Sequence, residues 1–260
     1  MGCSDQSTKF LKDRGYNVVK HPRKGIRPLE LLGRQDKSVI RLGRIDQLIA
    51  SSRSALPEII ENEPGAAING QSSSTLTLGI GVNILGTIIS AMGGNLGVDV
   101  SYTNAKKITF HYTDVVTDRA RPLDIGDFLR DGEVDAGNLI LREYVLGNGE
   151  LFLITETTKA NKFTVNYEIK RGVGAKVDVP VIQQLVGANV SVQSDKESAS
   201  TVVFEGPDHL TFGFKCLKVE VGDGDLRLMN SRAGDTALEA VGEARGEILT
   251  SDGRIEVLEA

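Results

Sequence analysis

The sequence predicts an α+β fold built on a strongly twisted, mainly antiparallel β-sheet with peripheral helices. Two observations lead there. Stretches of period-two alternation outnumber stretches with helical spacing, and the helices fall too irregularly between them for a doubly wound parallel sheet. With 40% hydrophobic and 25% charged residues, the composition is ordinary for a soluble globular chain. The 260 residues are enough for one large domain or two small ones.

The elements follow in order. Residues 9–15 suit a short helix, and residues 16–20 and 38–42 suit strands, with Pro22 and Pro28 punctuating a basic loop between them. Residues 44–48 suit either a strand or one helical turn, and residues 57–70 are loop-like. Residues 106–113 place Ile108, Phe110 and Tyr112 on one face of a strand. Pro122 opens a helix that runs to Asp131, with Gly132 just past its end. Residues 139–146 and 150–157 read as a hairpin around Gly147-Asn148-Gly149. Residues 202–204, 210–221 and 226–229 complete the strands.

Two units share one unusual plan. In the first, Leu76, Leu78, Ile80, Val82 and Ile84 alternate with Thr, Gly and Asn; residues 85–92 break the pattern; Leu96, Val98 and Val100 resume it. In the second, Phe163, Val165, Tyr167 and Ile169 alternate with polar residues, and Val177 and Val179 continue the run. Residues 180–186 break it, and Val190 and Val192 resume after Gly187-Ala188-Asn189. Each unit reads as strand, short helix, strand. Such alternation marks strands with one face on a core and one in water. It also suits a second state, in which each helix unwinds and the arms reach the ~9–11 residues of a strand that crosses a bilayer.

Charge is distributed unevenly. From Asp235 to the C-terminus seven acids face two bases, a net −5 that equals the whole chain's charge. The first 53 residues carry twelve Lys or Arg against five Asp or Glu, a net +7. A basic front and an acidic tail invite pairing within the chain. The tail also holds Ile248, Leu249, Ile255, Val257 and Leu258 around a Thr-Ser-Asp-Gly turn signal, which a merely solvating tail does not need.

Signals for catalysis, metal or cofactor are poor. His21, His111 and His209 lack motif spacing, Gly172-x-Gly174 lacks the context of a dinucleotide loop, and residues 222–225 read as a turn rather than a calcium loop. No catalytic, cofactor or metal site is expected, and no nucleic-acid surface. The chain has no run of apolar residues long enough for a membrane helix and no secretory leader, so it is expected in the cytoplasm. Cys3 stands apart. Gln6 spoils a myristoylation signal at Gly2, leaving Cys3 either an inert thiol or a site of thioester acylation, with the basic residues 20–27 as a second membrane signal.

Residues 78–118 resemble the first hairpin region and following strand of the gasdermins, and residues 163–194 fall where that family has its second hairpin. The likeness extends loosely from Cys3 to about Met229. Animal gasdermins carry a large helical inhibitory domain after this part; the short remainder here resembles the bacterial branch, in which a C-terminal peptide inhibits and a cysteine beside the N-terminus is acylated. The resemblance implies a pore-forming domain over residues 1–229, a cleavable linker over 230–246 and an autoinhibitory peptide over 247–260. It implies a fatty acyl group, palmitoyl, on Cys3, and inhibitory contacts from Ile248, Leu249, Ile255, Val257 and Leu258. It implies an activating protease, caspase-like or other, with Arg232, Leu238 and Arg245 as candidate cleavage residues. It implies a monomer that becomes a homo-oligomeric β-barrel pore in the lipids of the inner membrane, for cell death that limits phage. The alternative is a non-enzymatic soluble lipid-binding or scaffold module whose alternating strands never leave its core.

Overall fold

A computed structural model of the chain describes residues 11, 14–35, 38–65, 73–76, 105–135, 137–145, 148–169, 183, 188, 190–194, 201–222, 225–229, 249 and 257–259. The first strands are β1 (Asn17–Arg23), β2 (Glu30–Gln35) and β3 (Ser38–Arg44), followed by a 3-10 turn (Ile45–Gln47). Then come β4 (Ile49–Ser52), β5 (Ile59–Pro64), β6 (Ser73–Leu76), β7 (Ala105–Thr113) and β8 (Val116–Ala120). Helix α1 (Pro122–Arg130), β9 (Gly132–Val134) and α2 (Leu139–Val145) follow, then β10 (Glu150–Ile169), β11 (Ser191–Ser194), β12 (Thr201–Gly222), β13 (Asp225–Met229) and β14 (Val257–Glu259).

One large sheet runs β1-β12-β10-β2-β3-β14, with β5, β6, β7, β8, β11 and β13 attached beside this path, and β4 pairs with β9 separately. All pairs are antiparallel except β14 on β3. The spine is β10 against β12, paired from Leu151↔Val219 to Asn166↔Thr201. Along its length β10 changes its other neighbour, from β2 (Glu150–Leu153) to β8 (Glu156–Lys159) to β7 (Lys162–Ile169). Register breaks against β12 at Ile154/Glu156 and Ala160/Lys162 fall where the neighbours change, and a third, at Thr158/Lys159, lies within the stretch paired with β8.

Period two in β10 gives the sheet two apolar faces. Leu151 and Leu153 join Leu31, Ile45, Leu48 and Val219 on one face, where Ile125, Phe128 and Leu129 of α1 and Tyr144 of α2 cover them. Phe152 and Ile154 join Val19, Leu32, Val39, Phe214 and Cys216 on the other, where Leu249 lies. The ion pair of Lys159 with Asp118 (2.6 Å) is the most buried across β10 and β8, and the Asn62 amide donates to the same carboxylate (2.8 Å).

The structure revises several expectations. Residues 139–145 form a helix, not a strand. Asn138 accepts from the Ile140 amide (3.1 Å) and from the Arg142 amide (2.9 Å), which starts a helical turn there. Residues 59–64 are a strand because β8 supplies a partner, and residues 30–35 form the strand β2 between β10 and β3. The stretches 150–157 and 163–169 are one strand. Residues 44–48 adopt the helical alternative.

Two glycines make room for the one aromatic ring that α2 sends into the core. A Cβ on Gly33 would meet the Tyr144 ring at 2.4 Å, and one on Gly149 would meet it at 2.8 Å. Gly33→Ala therefore forces the ring out of its place and is expected to cost about 1–3 kcal/mol. In a double-mutant cycle by urea denaturation, Gly33→Ala added to Tyr144→Ala should cost far less than Gly33→Ala alone. Additive losses would show that the ring and the glycine do not compete for space.

Candidate functional site

The site lies on the sheet face opposite α1 and α2. Leu249 is 8% exposed and packs against Val19, Leu32, Val39, Phe152, Phe214 and Cys216. Its backbone is held as well as its side chain. The Leu249 amide donates to Asn17 Oδ1 at 2.8 Å, and its carbonyl accepts from Arg34 Nη1 at 3.2 Å. Eight residues later, β14 adds to the sheet edge in parallel register, Val257↔Val39, Leu258↔Ile40 and Glu259↔Arg41. Edge strands recruit partners in this way because their backbone groups are otherwise unpaired. Fully burying a leucine side chain contributes about 1.5–3 kcal/mol.

Both polar contacts to Leu249 come from prepared groups. Asn17 is 1% exposed, and its Nδ2 donates to Cys216 Sγ at 3.6 Å. Arg34 lies opposite Glu150 in the β2–β10 ladder and donates to that carboxylate through Nε (2.8 Å) and Nη2. Its guanidinium also sits 5.0 Å over the Phe152 ring. Lys218 Nζ approaches the same carboxylate at 3.4 Å. Burial pushes the Glu150 carboxyl up, but Arg34 and Lys218 outweigh it and hold the group below the ordinary carboxylate value.

The alternating units lie at the far end of the spine. Here the order is β6-β7-β10-β12-β11. Phe163 is 1% exposed and stacks on Phe204, with ring centroids 5.1 Å apart. Val165 pairs with Phe110 on one side and Val202 on the other. Tyr167 pairs with Ile108, and Ile169 with Ala105. Leu76 pairs with Ile108 in β7. Val190 and Val192 are buried, and β11, which carries Val192, pairs with β12 and not with β10. The stretch read as one hairpin over residues 163–194 thus has β12 between its two arms in this state. The reason is that Val202, Val203 and Phe204 complete β10 across the sheet, a pairing that sequence spacing cannot rank against the nearer Val190 and Val192.

Leu78, Ile80, Val82, Ile84, Leu96, Val98, Val100, Val177 and Val179 lie outside the described residues, as do Cys3, Arg232, Leu238, Arg245, Ile248 and Ile255. Of the tail residues singled out, the structure brings Leu249, Val257 and Leu258 to the sheet. Sequence reasoning missed Asn17 and Arg34. An asparagine inside a strand otherwise apolar at Val18 and Val19 is the one signal that could have raised Asn17. No helix among the described residues is long and apolar enough to cross a membrane, which leaves strands unaddressed.

The Bacterial Gasdermin Family pattern matches residues 19–232. "Gasdermin bGSDM" of Vitiosangium sp. (strain GDMCC 1.1324) is 41% identical over 253 residues, covering 97% of this chain and 94% of that one. "Gasdermin bGSDM" of a Desulfuromonadales bacterium is 34% identical, covering 94% of this chain and 92% of its own. Among solved structures, that of a bacterial gasdermin from Bradyrhizobium tropiciagri superposes with a TM-score of 0.66 at 15% identity, over 99% of this chain and 98% of that one. That last likeness is one of fold.

The carboxylate of Glu150 yields a pH prediction. Its folded pKa lies below its ordinary value of 4.5, so its contribution is complete above that value and is lost as pH falls through the depressed one. Urea midpoints measured from pH 7 to pH 3 should fall more steeply in the wild type than in Glu150→Gln. Parallel curves would show that the Arg34 and Lys218 contacts do not hold in solution.

Proposed function

The chain belongs to the bacterial gasdermin family, and on that premise we propose that it is a pore-forming protein held inactive by its own C-terminal segment. One observation carries the reading: Leu249 occupies the face of the sheet opposite α1 and α2 while β14 occupies its edge. Protein–protein assembly needs free faces and free edges, and the segment takes one of each. In this reading residues 1–229 are the pore-forming domain, 230–246 the linker that a caspase-like or other protease cuts, and 247–260 the inhibitor. Arg232, Leu238 and Arg245 are the candidate cleavage residues. The segment 230–246 is rich in Gly and Ala, a composition suited to an exposed, cleavable strip.

The mechanism is a change of state, without a chemical step performed by this chain. While tethered, the segment enjoys a high effective concentration; cutting the tether removes that advantage. The alternating units then extend into two hairpins, with Leu76, Leu78, Ile80, Val82, Ile84, Leu96, Val98 and Val100 facing lipid in the first. Phe163, Val165, Tyr167, Ile169, Val177, Val179, Val190 and Val192 serve the second. At membrane depth every backbone N–H and C=O must be paired, and a closed barrel of hairpins from many copies satisfies that requirement. The continuous order β6-β7-β10-β12-β11 supports this, because strands flanking both units are already neighbours. A palmitoyl group on Cys3 would add about 0.8 kcal/mol per buried CH₂ and help the basic front to enter. The protein waits in the cytoplasm, opens the inner membrane when cut, and kills the cell in defence against phage.

Dye-loaded vesicles test the reading. Residues 1–237 should release the dye and the full chain should not, while the uncut double variant Leu249→Asp with Val257→Asp should release it. Leu78→Lys in the shortened chain places a charge in every subunit of the barrel, at about 2–4 kcal/mol each near the midplane, and should stop release without unfolding the monomer. A shortened chain that stays monomeric and harmless would remove the tail as inhibitor. Intact mass spectrometry of protein purified from bacteria should show a fatty-acyl adduct that Cys3→Ala lacks; its absence, with unimpaired killing by Cys3→Ala, would leave Cys3 an ordinary thiol.

A further inference from the structure

We propose that Asn17 and Arg34 form a peptide-recognition clamp that reads the backbone of one residue, Leu249, and that this clamp, rather than the β14 pairing, governs how long the C-terminal segment stays docked. The proposal rests on the reading that the segment is the inhibitor, and it names the residues that regulate its release.

The geometry is unusual for a peptide lying on a sheet. An extended peptide normally satisfies its backbone through the backbone of an adjacent strand. Leu249 instead lies across the face, and side chains satisfy both of its backbone groups. Those side chains come from β1 and β2, between which β12 and β10 intervene. Three strand spacings separate them, roughly 14 Å, so the clamp reaches inward from both sides over the strands that line the apolar socket.

Each jaw is fixed before the peptide arrives. The Asn17 amide is oriented by its Nδ2 bond to Cys216 Sγ (3.6 Å), which leaves Oδ1 to accept from the peptide. Arg34 is held by Glu150 Oε2 (2.8 Å from Nε) and by the Phe152 ring, which leaves Nη1 to donate. Groups already ordered lose little freedom on binding, so their bonds count more fully toward affinity. The bond from the guanidinium is also charge-assisted. By contrast, β14 is three residues long and pairs on one side only.

The two stations are nevertheless connected. Glu150, Arg34, Val39 and Val257 form one row across β10, β2, β3 and β14. A clamp built this way selects its ligand by chemistry: a peptide whose central residue is a branched aliphatic with a free N–H, so proline is excluded there. Large aromatic side chains would overfill the socket between Phe152 and Phe214.

Hydrogen exchange read by mass spectrometry on the uncut, full-length protein tests the clamp. Arg34→Met keeps an unbranched, flexible side chain beside Phe152 but removes the guanidinium, and with it the donor. It should raise exchange in residues 247–251 by at least about tenfold, the loss of one hydrogen bond to a charged group, while β1 and β12 amides keep wild-type rates. Arg34→Lys should fall between the two. Leu258→Pro, which removes a backbone donor from β14, should raise exchange at the edge and leave residues 247–251 nearly unchanged. Wild-type exchange in Arg34→Met, or release of Leu249 by Leu258→Pro as complete as by Arg34→Met, overturns the proposal. If Arg34→Met disturbs β1 and β12, Leu249→Pro carries the test from the peptide side, and unchanged exchange in residues 250–256 overturns it equally. Dye release separates the two claims: a clamp opened by Arg34→Met in a chain that remains inert toward vesicles upholds the clamp and overturns the inhibitor reading instead.

Discussion

A β-sheet has two faces, and α1 and α2 cover only one of them. That constraint organises the rest of the molecule. Leu151 and Leu153 look toward α1 and α2, while Phe152 and Ile154 look the other way, toward the cluster that holds Leu249. Water over that second face would be a standing penalty, since apolar area costs about 25 cal/mol for every Å² left exposed. The chain resolves the problem with its own end. Leu249 sits among Val19, Leu32, Val39, Phe152, Phe214 and Cys216; its carbonyl accepts from Arg34, and Glu259 of β14 pairs with Arg41 of the basic front. The cover of that face is therefore supplied by the far end of the same chain.

Much of this was legible in the sequence, for physical reasons that differ between elements. The strands with one buried face announce themselves by alternation, so β7 and the second half of β10 are plain in Ile108, Phe110, Tyr112 and in Phe163, Val165, Tyr167. Helix α1 is signalled by Pro122 at its start and Gly132 past its end, with Ile125, Phe128 and Leu129 at helical spacing. Helix α2 was hidden because residues 139–146 are rich in aliphatic and aromatic side chains that suit strands. What decides it is the Asn138 cap and the need to carry one ring, Tyr144, over Gly33 and Gly149. Residues 59–64 show no alternation at all, and only the free edge of β8 makes them a strand.

The site was legible in part. The apolar character of Leu249, Val257 and Leu258 within an acidic tail pointed to docking, and charge asymmetry pointed to the front of the chain as the receptor. Their partners were not legible. Asn17 and Arg34 are seventeen residues apart in β1 and β2, and neither has a motif. They meet at one peptide residue because β12 and β10, from much later in the chain, insert between their strands. Long-range insertion of this kind leaves no local trace. The same holds for the partner of β10 at Phe163, where distance along the chain favoured Val190 and Val192 and the sheet chose Val202 and Phe204.

The continuity of β10 has a mechanical meaning. One covalent strand of 20 residues serves three neighbours in succession, and two of its three register breaks fall at the changes of neighbour. Bulges concentrate right-handed twist, so the strand bends sharply over a short stretch while its chemical bonds run through unbroken. Tension applied at the Ile169 end travels along the backbone to Glu150 and is resisted by the antiparallel ladder with β12, whose hydrogen bonds are then loaded in shear, all at once, instead of being peeled one by one. A beam jointed in this manner lets its two ends turn relative to each other and still pull on one another.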